Sequence, residues 1–251
     1  MANVNYTNQP ESSSKDELGK YFDPYIYENI EYLTLNGINA AKLIIVFWDI
    51  SKFSDLCNEI MKKPGSIFNS IEYLLREYYI EAAELIKKNG GILDKFIGDG
   101  IFAYFGYQNG ISDDLPSKVV NTALELRNKF KEIKEKHKQT LHSHFNLKSS
   151  VDINLKCGMH IGKVLFGYWH SPLRAQITAI GDEINFCSRL ESFADRDQII
   201  ISEQLKNIIK NDFATKEIEI PEDKKLKSYE YVKYVYEILV KDPALATIDK
   251  S

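Results

Sequence analysis

Cysteine is scarce in this sequence, with three residues in 251. They are Cys57, Cys157 and Cys187, each far from the others and set within an apolar pattern. Scattered cysteines of this kind are typical of buried, reduced thiols rather than of a disulfide framework. The sequence therefore favours a reducing compartment, and we expect a cytoplasmic location.

Long hydrophobic runs are missing as well. The longest apolar stretch, residues 43–48, is much shorter than the roughly 20 residues that a membrane-spanning helix needs. The first five residues lack the charged-then-apolar order of a signal peptide. These features predict a soluble protein with no membrane span.

Positive charge is not in excess either. The net charge is -4 and the sequence pI is about 5.8, and no run of Lys or Arg is flanked by aromatic residues that could stack on bases. Nucleic-acid binding normally requires such a basic face. The composition therefore disfavours a nucleic-acid partner, while 44% hydrophobic and 27% charged residues are ordinary for a globular domain.

The chain divides into one large domain with short extensions. Residues 1–20 are polar and predict a flexible N-terminal tail. Residues 21–40 carry apolar side chains at helical spacing and predict a short N-terminal helical segment. Residues 41–241 are long enough for a single core and form the predicted domain, followed by a C-terminal tail at 242–251.

Helical and strand patterns are interleaved along that domain, which predicts an α+β fold with a mixed sheet flanked by helices. The polar stretch 134–154 predicts a partly mobile excursion between elements. Gly162 lies between two strand patterns, 151–160 and 163–169, and predicts a hairpin turn at that glycine.

Two carboxylates at strand ends are the most informative feature of the chain. Asp49 follows the apolar run 43–48, and Asp99 lies between Gly98 and Gly100 at the tip of a second strand pattern. Carboxylate oxygens suit hard divalent cations such as Mg²⁺ and Mn²⁺, and glycine lets a phosphate approach the backbone closely. A single Asp after a strand is more often a turn residue, but two in these settings favour two-metal phosphoryl transfer.

Four motifs in order resemble the catalytic domain of the class III nucleotidyl cyclases. They are FWDISKFS at 47–54, KFIGDG at 95–100, GMHIG at 158–162 and AIGDEINFCSRL at 179–190. The resemblance covers about residues 40–240. It implies a ferredoxin-like α+β cyclase domain that acts as a head-to-tail homodimer and turns a nucleoside triphosphate into a 3′,5′-cyclic monophosphate and pyrophosphate.

The resemblance also implies the metal ligands and the catalytic pair. Asp49, Asp99 and the carbonyl of Ile50 match the positions that hold two divalent metal ions per site, Mn²⁺ or Mg²⁺. Asn185 and Arg189 match the pair that orients the ribose and stabilises charge on the transferring phosphorus. Their four-residue spacing puts both on one helical face.

Further positions correspond to contacts with the nucleotide. Lys95 and Thr178 match the residues that recognise the base, while Arg174 and Lys227 match residues that contact the triphosphate. Lys227 lies in a lysine-rich segment without the glycine expected there, so a solvated lysine cluster remains an alternative. By the family arrangement, one protomer supplies Asp49, Asp99 and Arg174. Its partner supplies Lys95, Thr178, Asn185, Arg189 and Lys227, so that an isolated monomer would be inactive.

The sequence defines the nucleotide base of the substrate less sharply. Guanylate cyclases usually carry Glu where this chain has Lys95, so GTP is disfavoured. Lys95 with Thr178 fits ATP, because a hydroxyl can accept from an amino group while Lys reaches a ring nitrogen, but the same pair can meet a pyrimidine. A soluble cyclase of this length with Trp48 beside the metal ligand is similar to the pyrimidine cyclases of antiphage systems. That similarity favours UTP to cUMP or CTP to cCMP, read by a downstream effector protein, ahead of ATP to cAMP.

Four other interpretations of the sequence have less support. A catalytically inactive, nucleotide-sensing cyclase domain is disfavoured because Asp49, Asp99, Asn185 and Arg189 are all retained. His160 is expected to be a packed strand residue rather than a base. Weaker candidates are a metal site at His137, His142 and His144 and a base-stacking platform at Tyr229, Tyr231, Tyr234 and Tyr236.

Overall fold

Two long antiparallel strands form the centre of the molecule. The computed structural model describes residues 19–61, 68–145 and 152–239. Strand β1, Ile38–Ser51, pairs along its whole length with strand β4, Asn154–Ser171, from Ile38 opposite Gly167 to Ser51 opposite Asn154. The run Leu43–Val46 in β1 is completely buried, as expected for a strand covered by other elements on both faces of its sheet.

The remaining strands extend this pair into one mixed sheet. The strands are β1 Ile38–Ser51, β2 Gly91–Ile97, β3 Gly100–Phe105, β4 Asn154–Ser171, β5 Arg174–Ile180, β6 Ile199–Ile201, β7 Ala214–Glu219 and β8 Tyr234–Leu239. Their order in the sheet is β2-β3-β1-β4-β6-β8-β7, and β5 pairs with β4 in a hairpin. Only the β4–β6 pairing is parallel among the pairings described.

Helices cover both faces of the sheet, and each face has its own apolar core. The helices are α1 Pro24–Glu28, α2 Ile30–Asn36, α3 Phe53–Met61, α4 Phe68–Lys88, α5 Leu115–Phe145, α6 Asp182–Phe193 and α7 Glu203–Ile209. On one side, α4, α5 and α7 pack their apolar stripes against β1, β3 and β4. On the other, α1, α2 and α6 cover the opposite face. The predicted α+β class, a mixed sheet flanked by helices, is confirmed.

The segment boundaries of the sequence prediction can be placed on this fold only in part. Gly19–Tyr21 forms a 3-10 turn, α1 and α2 follow, and β1 already begins at Ile38. Residues 1–18 and 240–251, which hold most of the two predicted tails, lie outside the described residues. None of the helices in the described ranges is long and apolar enough to span a membrane.

The hairpin predicted at Gly162 is wrong, because β4 runs without interruption through that residue. The turn lies instead after Ser171, where β4 pairs back with β5. Gly162 serves packing, since a Cβ there would lie 2.7 Å from Cγ of Glu183 on α6. Gly158 has the same role, since its Cβ would lie 2.7 Å from the carbonyl oxygen of Cys187. These glycines let α6 lie directly on the strand.

The excursion predicted at 134–154 is also wrong over most of its length. Helix α5 continues to Phe145, and residues 146–151 lie outside the described part of the chain. The exposed side chains of Glu135, Lys136 and Lys138 lie on the outer face of the helix, and Lys136 pairs with Glu77 of α4 at 2.8 Å. Nε2 of His137 lies 2.8 Å from the same carboxylate. The side chains of His142 and His144 are outside the described residues.

The close approach of α6 to β4 predicts how substitutions of the two glycines change the stability of the fold. Gly158→Ala should lower the free energy of unfolding by about 1–3 kcal/mol, because the new methyl group meets helix backbone that cannot rotate away. Gly162→Ala is the matched control. Its methyl group meets the partly exposed Glu183 side chain, which can move, so a smaller loss is expected. Urea denaturation of both variants measures the difference, and equal losses would contradict the packing role of Gly158.

Candidate active site

The two predicted metal ligands lie together at one end of the central strands. Asp49 is near the C-terminal end of β1, and Asp99 is in the two-residue turn between β2 and β3. Gly98 takes a φ of 62°, a conformation that such a turn favours at its first position. A Cβ on Gly100 would lie 3.1 Å from the carbonyl oxygen of Trp48 and 3.4 Å from Oδ1 of Asp49. The glycines therefore let the hairpin tip reach β1.

The two carboxylates repel one another. Burial and the neighbouring charge of Asp49 raise the pKa of Asp99 to about 6, although the backbone N–H of Ile50 donates to its carboxylate. A carboxylate pair of this kind carries negative charge that the surrounding groups do not fully compensate. An oxygen-ligated divalent cation is the chemical species that such a pair fits best.

Lys156 is a site residue that the sequence reasoning missed. It lies directly opposite Asp49 in the β1–β4 register. Its Nζ lies 3.3 Å from Oδ2 of Asp49 and 2.7 Å from Oε1 of Glu191 on α6. Burial lowers the pKa of Lys156, but Glu191 and Asp49 outweigh it and the net shift is upward. This lysine stays charged beside the carboxylates, and only strand register would have identified it.

Asp49, Asp99 and Lys156 line an open cleft of about 340 Å³. One wall is the loop from β1 into α3, where Lys52 takes a positive φ of 62°. The N-terminal turn of α3 therefore begins at the cleft, and helix N-termini favour phosphate groups. Carboxylates, a lysine and a helix N-terminus together suit a phosphate chain carrying divalent cations. The described residues contain no set of three or more His, Cys, Asp or Glu side chains that could hold a metal, so a cation would depend on these two Asp with backbone and substrate oxygens.

The predicted base-binding residues are joined by a third residue. The Thr178 hydroxyl on β5 donates a hydrogen bond to Oδ2 of Asp94 on β2. Nζ of the adjacent Lys95 lies 3.3 Å from Oδ1 of the same carboxylate. Thr178 and Asp94 are almost fully buried, whereas 40% of the Lys95 side chain is exposed. The structure therefore brings Lys95 and Thr178 together, and Asp94 is a second member that the sequence reasoning missed.

The other predicted residues lie on separate elements. Asn185 is exposed and Arg189 half-buried, one turn apart on α6. Arg174 is exposed at the β4–β5 turn, where its backbone N–H donates to Oγ of Ser171 at 3.1 Å. Lys227 is exposed in the loop before β8 and is followed by Ser228 with a φ of 70°. None of these four lines the carboxylate cleft among the residues described.

His160 and Tyr229 are both held by packing and hydrogen bonds, whereas Tyr231 and Tyr234 of the tyrosine cluster are exposed. His160 is 1% exposed, its Nε2 lies 2.6 Å from Oε2 of Glu183, and its ring meets Phe186 edge-on. Burial lowers the pKa of His160 against the opposing effect of Glu183. Tyr229 is buried and donates to the Asp182 carboxylate at 2.6 Å. Neither residue is presented to the carboxylate cleft.

A mixed sheet flanked by helices, with paired carboxylates at its strand ends, is the arrangement expected of a nucleotidyl cyclase domain. The family model of the adenylate and guanylate cyclase catalytic domain matches residues 39–233. The chain belongs to this family, as its motifs predict.

Curated relatives include both kinds of cyclase. An adenylate cyclase of Anabaena cylindrica is 28% identical over 172 residues, which are 68% of this chain and 31% of that protein. A receptor-type guanylate cyclase of Caenorhabditis elegans is 23% identical over 65% of this chain and 14% of its own length. The chain thus spans a third or less of the curated relatives it matches.

Solved structures agree on the fold. The adenylyl cyclase CyaB from P. aeruginosa superposes with a TM-score of 0.70 at 22% identity, covering 82% of this chain and 97% of that one. The guanylate cyclase domain of RhGC from Catenaria anguillulae, solved with GTP, gives 0.63 at 21% identity, covering 81% and 100%. At these identities the likeness establishes the architecture and not the substrate.

Proposed function

We propose that this domain converts a nucleoside triphosphate into a 3′,5′-cyclic nucleoside monophosphate and pyrophosphate. In this reaction the ribose 3′-oxygen attacks the α-phosphorus, the bond from that phosphorus to the β-phosphate oxygen breaks, and the hydroxyl proton passes to solvent. The observation that carries the proposal is the pairing of Asp49 and Asp99 over a cleft that also contains Lys156. That arrangement suits a charged phosphate chain and its counter-ions.

Divalent cations fit the residues present. The raised pKa of Asp99 reflects negative charge that burial and Asp49 leave poorly compensated, and a cation would relieve it. We infer that Asp49, Asp99 and the Ile50 carbonyl hold two ions, Mg²⁺ or Mn²⁺. When bound, such ions neutralise triphosphate charge and lower the pKa of the attacking hydroxyl. Lys156 would add a positive charge beside the phosphates from the protein itself.

The remaining residues fit a site shared between two copies of the chain. The carboxylate cleft of one protomer would face the partner's Lys95 and Thr178 for the base. Asn185 and Arg189 of that second copy would orient the ribose and donate to the charge that develops on the transferring phosphate. Arg174 and Lys227, both exposed, would contact the triphosphate. Lys95, Thr178, Asn185 and Arg189 do not line the cleft of their own chain, and this separation supports the division between two copies.

ATP is the substrate that the described site supports best. Lys95 and Thr178 suit the amino group and ring nitrogen of adenine. Trp48, which first suggested a pyrimidine, is 1% exposed within the apolar core, so it gives no contact to a base. CTP is the second candidate, because cytosine presents the same two groups. A product cCMP would be consistent with an antiphage messenger read by an effector protein, and UTP to cUMP ranks third.

Product analysis tests this proposal. The purified protein is incubated with Mn²⁺ and with ATP, CTP, UTP or GTP separately, and the products are identified by mass spectrometry. We expect a 3′,5′-cyclic monophosphate and pyrophosphate in equal amounts, with cAMP formed fastest. Linear monophosphate or diphosphate as the main product would overturn the proposal. The Asp49→Ala protein run in parallel controls for contaminating enzymes.

A further inference from the structure

Helix α6 carries two of the proposed site residues and rests directly on β4. A Cβ on Gly158 of β4 would meet the backbone nitrogen of Glu191, so the last turn of the helix touches the strand. The buried side chains of α6 are Phe186, Cys187, Leu190 and Glu191. Three of them are apolar, and apolar contact has no preferred direction. The rotation and the axial position of α6 are therefore fixed mainly by its polar contacts.

Polar contacts hold both ends of this helix. In the first turn, Oε2 of Glu183 lies 2.6 Å from Nε2 of His160. In the last turn, Oε1 of Glu191 lies 2.7 Å from Nζ of Lys156. The side chains of Glu191 and Lys156 are only 12% and 16% exposed, and a charge-assisted hydrogen bond shielded from water is strong and directional. This second contact fixes the end of the helix that follows Arg189.

Lys156 also contacts the carboxylate cleft. Its Nζ lies 3.3 Å from Oδ2 of Asp49, and both residues line the cleft. A lysine ammonium has three donors on one nitrogen, so it can hold the carboxylates of Asp49 and Glu191 at the same time. One side chain thus joins the cleft end of β1 to the last turn of α6.

We propose that Lys156 serves both active sites of the dimer. In its own cleft it places a positive charge beside Asp49. Through Glu191 it holds α6 in the position that presents Asn185 and Arg189 to the site of the partner copy. Glu191 is then a positioning residue, since it acts on the substrate only through the helix. The inference rests on the proposed function and on its division of residues between two copies.

The test uses dimers with a single intact site. Asp99→Asn inactivates the cleft of one copy, and Asn185→Ala inactivates the helix of the other, so a mixed dimer keeps one site. That site combines the cleft of the Asn185→Ala copy with α6 of the Asp99→Asn copy. Both copies retain Asp49, so Lys156 keeps a carboxylate partner in either copy when Glu191 is replaced.

Glu191→Gln is then placed in one copy or in the other. In the Asp99→Asn copy, it loosens the helix that serves the intact site. The rate should fall at least about tenfold, mainly in kcat, because small misplacement of groups that act in the transition state can cost about 100-fold. In the Asn185→Ala copy, the same substitution should leave the rate unchanged. Lys156→Met should lower the rate in either copy, because the lysine serves both sites.

The placement separates positioning from a general structural role, which would lower the rate equally in both copies. Equal losses for Glu191→Gln in the two copies, or no loss in either, would overturn the inference. A loss confined to one copy for Lys156→Met would also overturn it. If Lys156→Met does not fold because Glu191 is left unpaired, the double variant with Glu191→Gln removes both charges and replaces it. Lys210→Met, at an exposed position after α7 that does not line the cleft, is the control and should keep the full rate.

Hydrogen exchange distinguishes failure of this inference from failure of the proposed function, because it requires no turnover. In the parent chain carrying only Glu191→Gln, amide exchange in residues 187–193 should be at least about fivefold faster, as expected when a charged hydrogen bond is lost. Exchange in α5 should stay unchanged. If this result is obtained but the mixed dimers form no cyclic product, the cyclase proposal fails and the positioning of α6 by Lys156 stands. Unchanged exchange in α6 would overturn the inference.

Discussion

Asn in place of Asp99 is expected to lower cyclic nucleotide formation at least about 100-fold, because a carboxylate that would hold a cation becomes a neutral amide, and metal-borne charge stabilisation contributes several kcal/mol. The measurement is the initial rate of cyclic product at saturating Mn²⁺ and nucleotide. Asp99 lies in a turn at the surface end of the sheet, so the substitution leaves the apolar core untouched.

The same substitution should not destabilise the protein. The pKa of Asp99 is raised from 3.8 to about 6 by burial and by Asp49, so the folded state disfavours the ionised form. The resulting loss of stability is absent well below pH 3.8, grows as the pH rises, and is complete above about pH 6. Asn carries no such charge. Without metal at pH 7.5, the unfolding temperature of Asp99→Asn should be equal to or above that of the parent.

A control variant is measured for both cyclic product formation and unfolding temperature. Asp113→Asn removes an exposed carboxylate remote from the cleft and should keep both activity and unfolding temperature. Full activity of Asp99→Asn would contradict the metal assignment. A large drop in its unfolding temperature would instead indicate that Asp99 supports the fold, contrary to its raised pKa.

The sequence was sufficient for features that depend on local pattern. Asp49 could be found because it follows an apolar strand pattern, and Asp99 because it lies between two glycines at the tip of a second strand pattern. The same strand-end geometry brings them together in the structure. The α+β class followed from the alternation of helical and strand periods, which reflects how each element buries one face.

Contacts that depend on strand register could not be predicted from the sequence. Lys156 faces Asp49 only because β1 and β4 pair in one particular register. Asp94 meets Thr178 only because β2 carries a bulge and β5 folds back on β4. Neither the partner nor the bulge is specified by residues near those positions in the sequence, so only the assembled sheet reveals these contacts.

The two incorrect predictions, a hairpin at Gly162 and an excursion at 134–154, have a common cause. Gly162 suggested a turn, yet it and Gly158 are small because α6 packs against them. The polar stretch 134–154 suggested a partly mobile excursion, yet α5 continues to Phe145, and Lys136 and His137 contact Glu77 of α4. In both cases a local signal was overruled by a packing partner distant in sequence, which periodicity alone does not detect.

Complementation between two inactive variants tests the central claim, a cyclase site shared by two copies of the chain, most directly. Asp49→Ala removes a residue assigned to the cleft, and Asn185→Ala removes one assigned to the opposing protomer. Each homodimer would have two defective sites. A heterodimer would combine Asp49 of one copy with Asn185 of the other and regain one intact site. This follows because a symmetric dimer contains two equivalent sites, each built from different residues of the two copies.

The measurement is the rate of cyclic product after the two variants are mixed in equal amounts and allowed to exchange subunits. Random pairing predicts recovery of about a quarter of the parent activity, since half of the dimers are mixed and each has one good site of two. Each variant alone should stay at background. Activity that remains at background at every mixing ratio, in a sample shown to contain mixed dimers, would contradict the shared site.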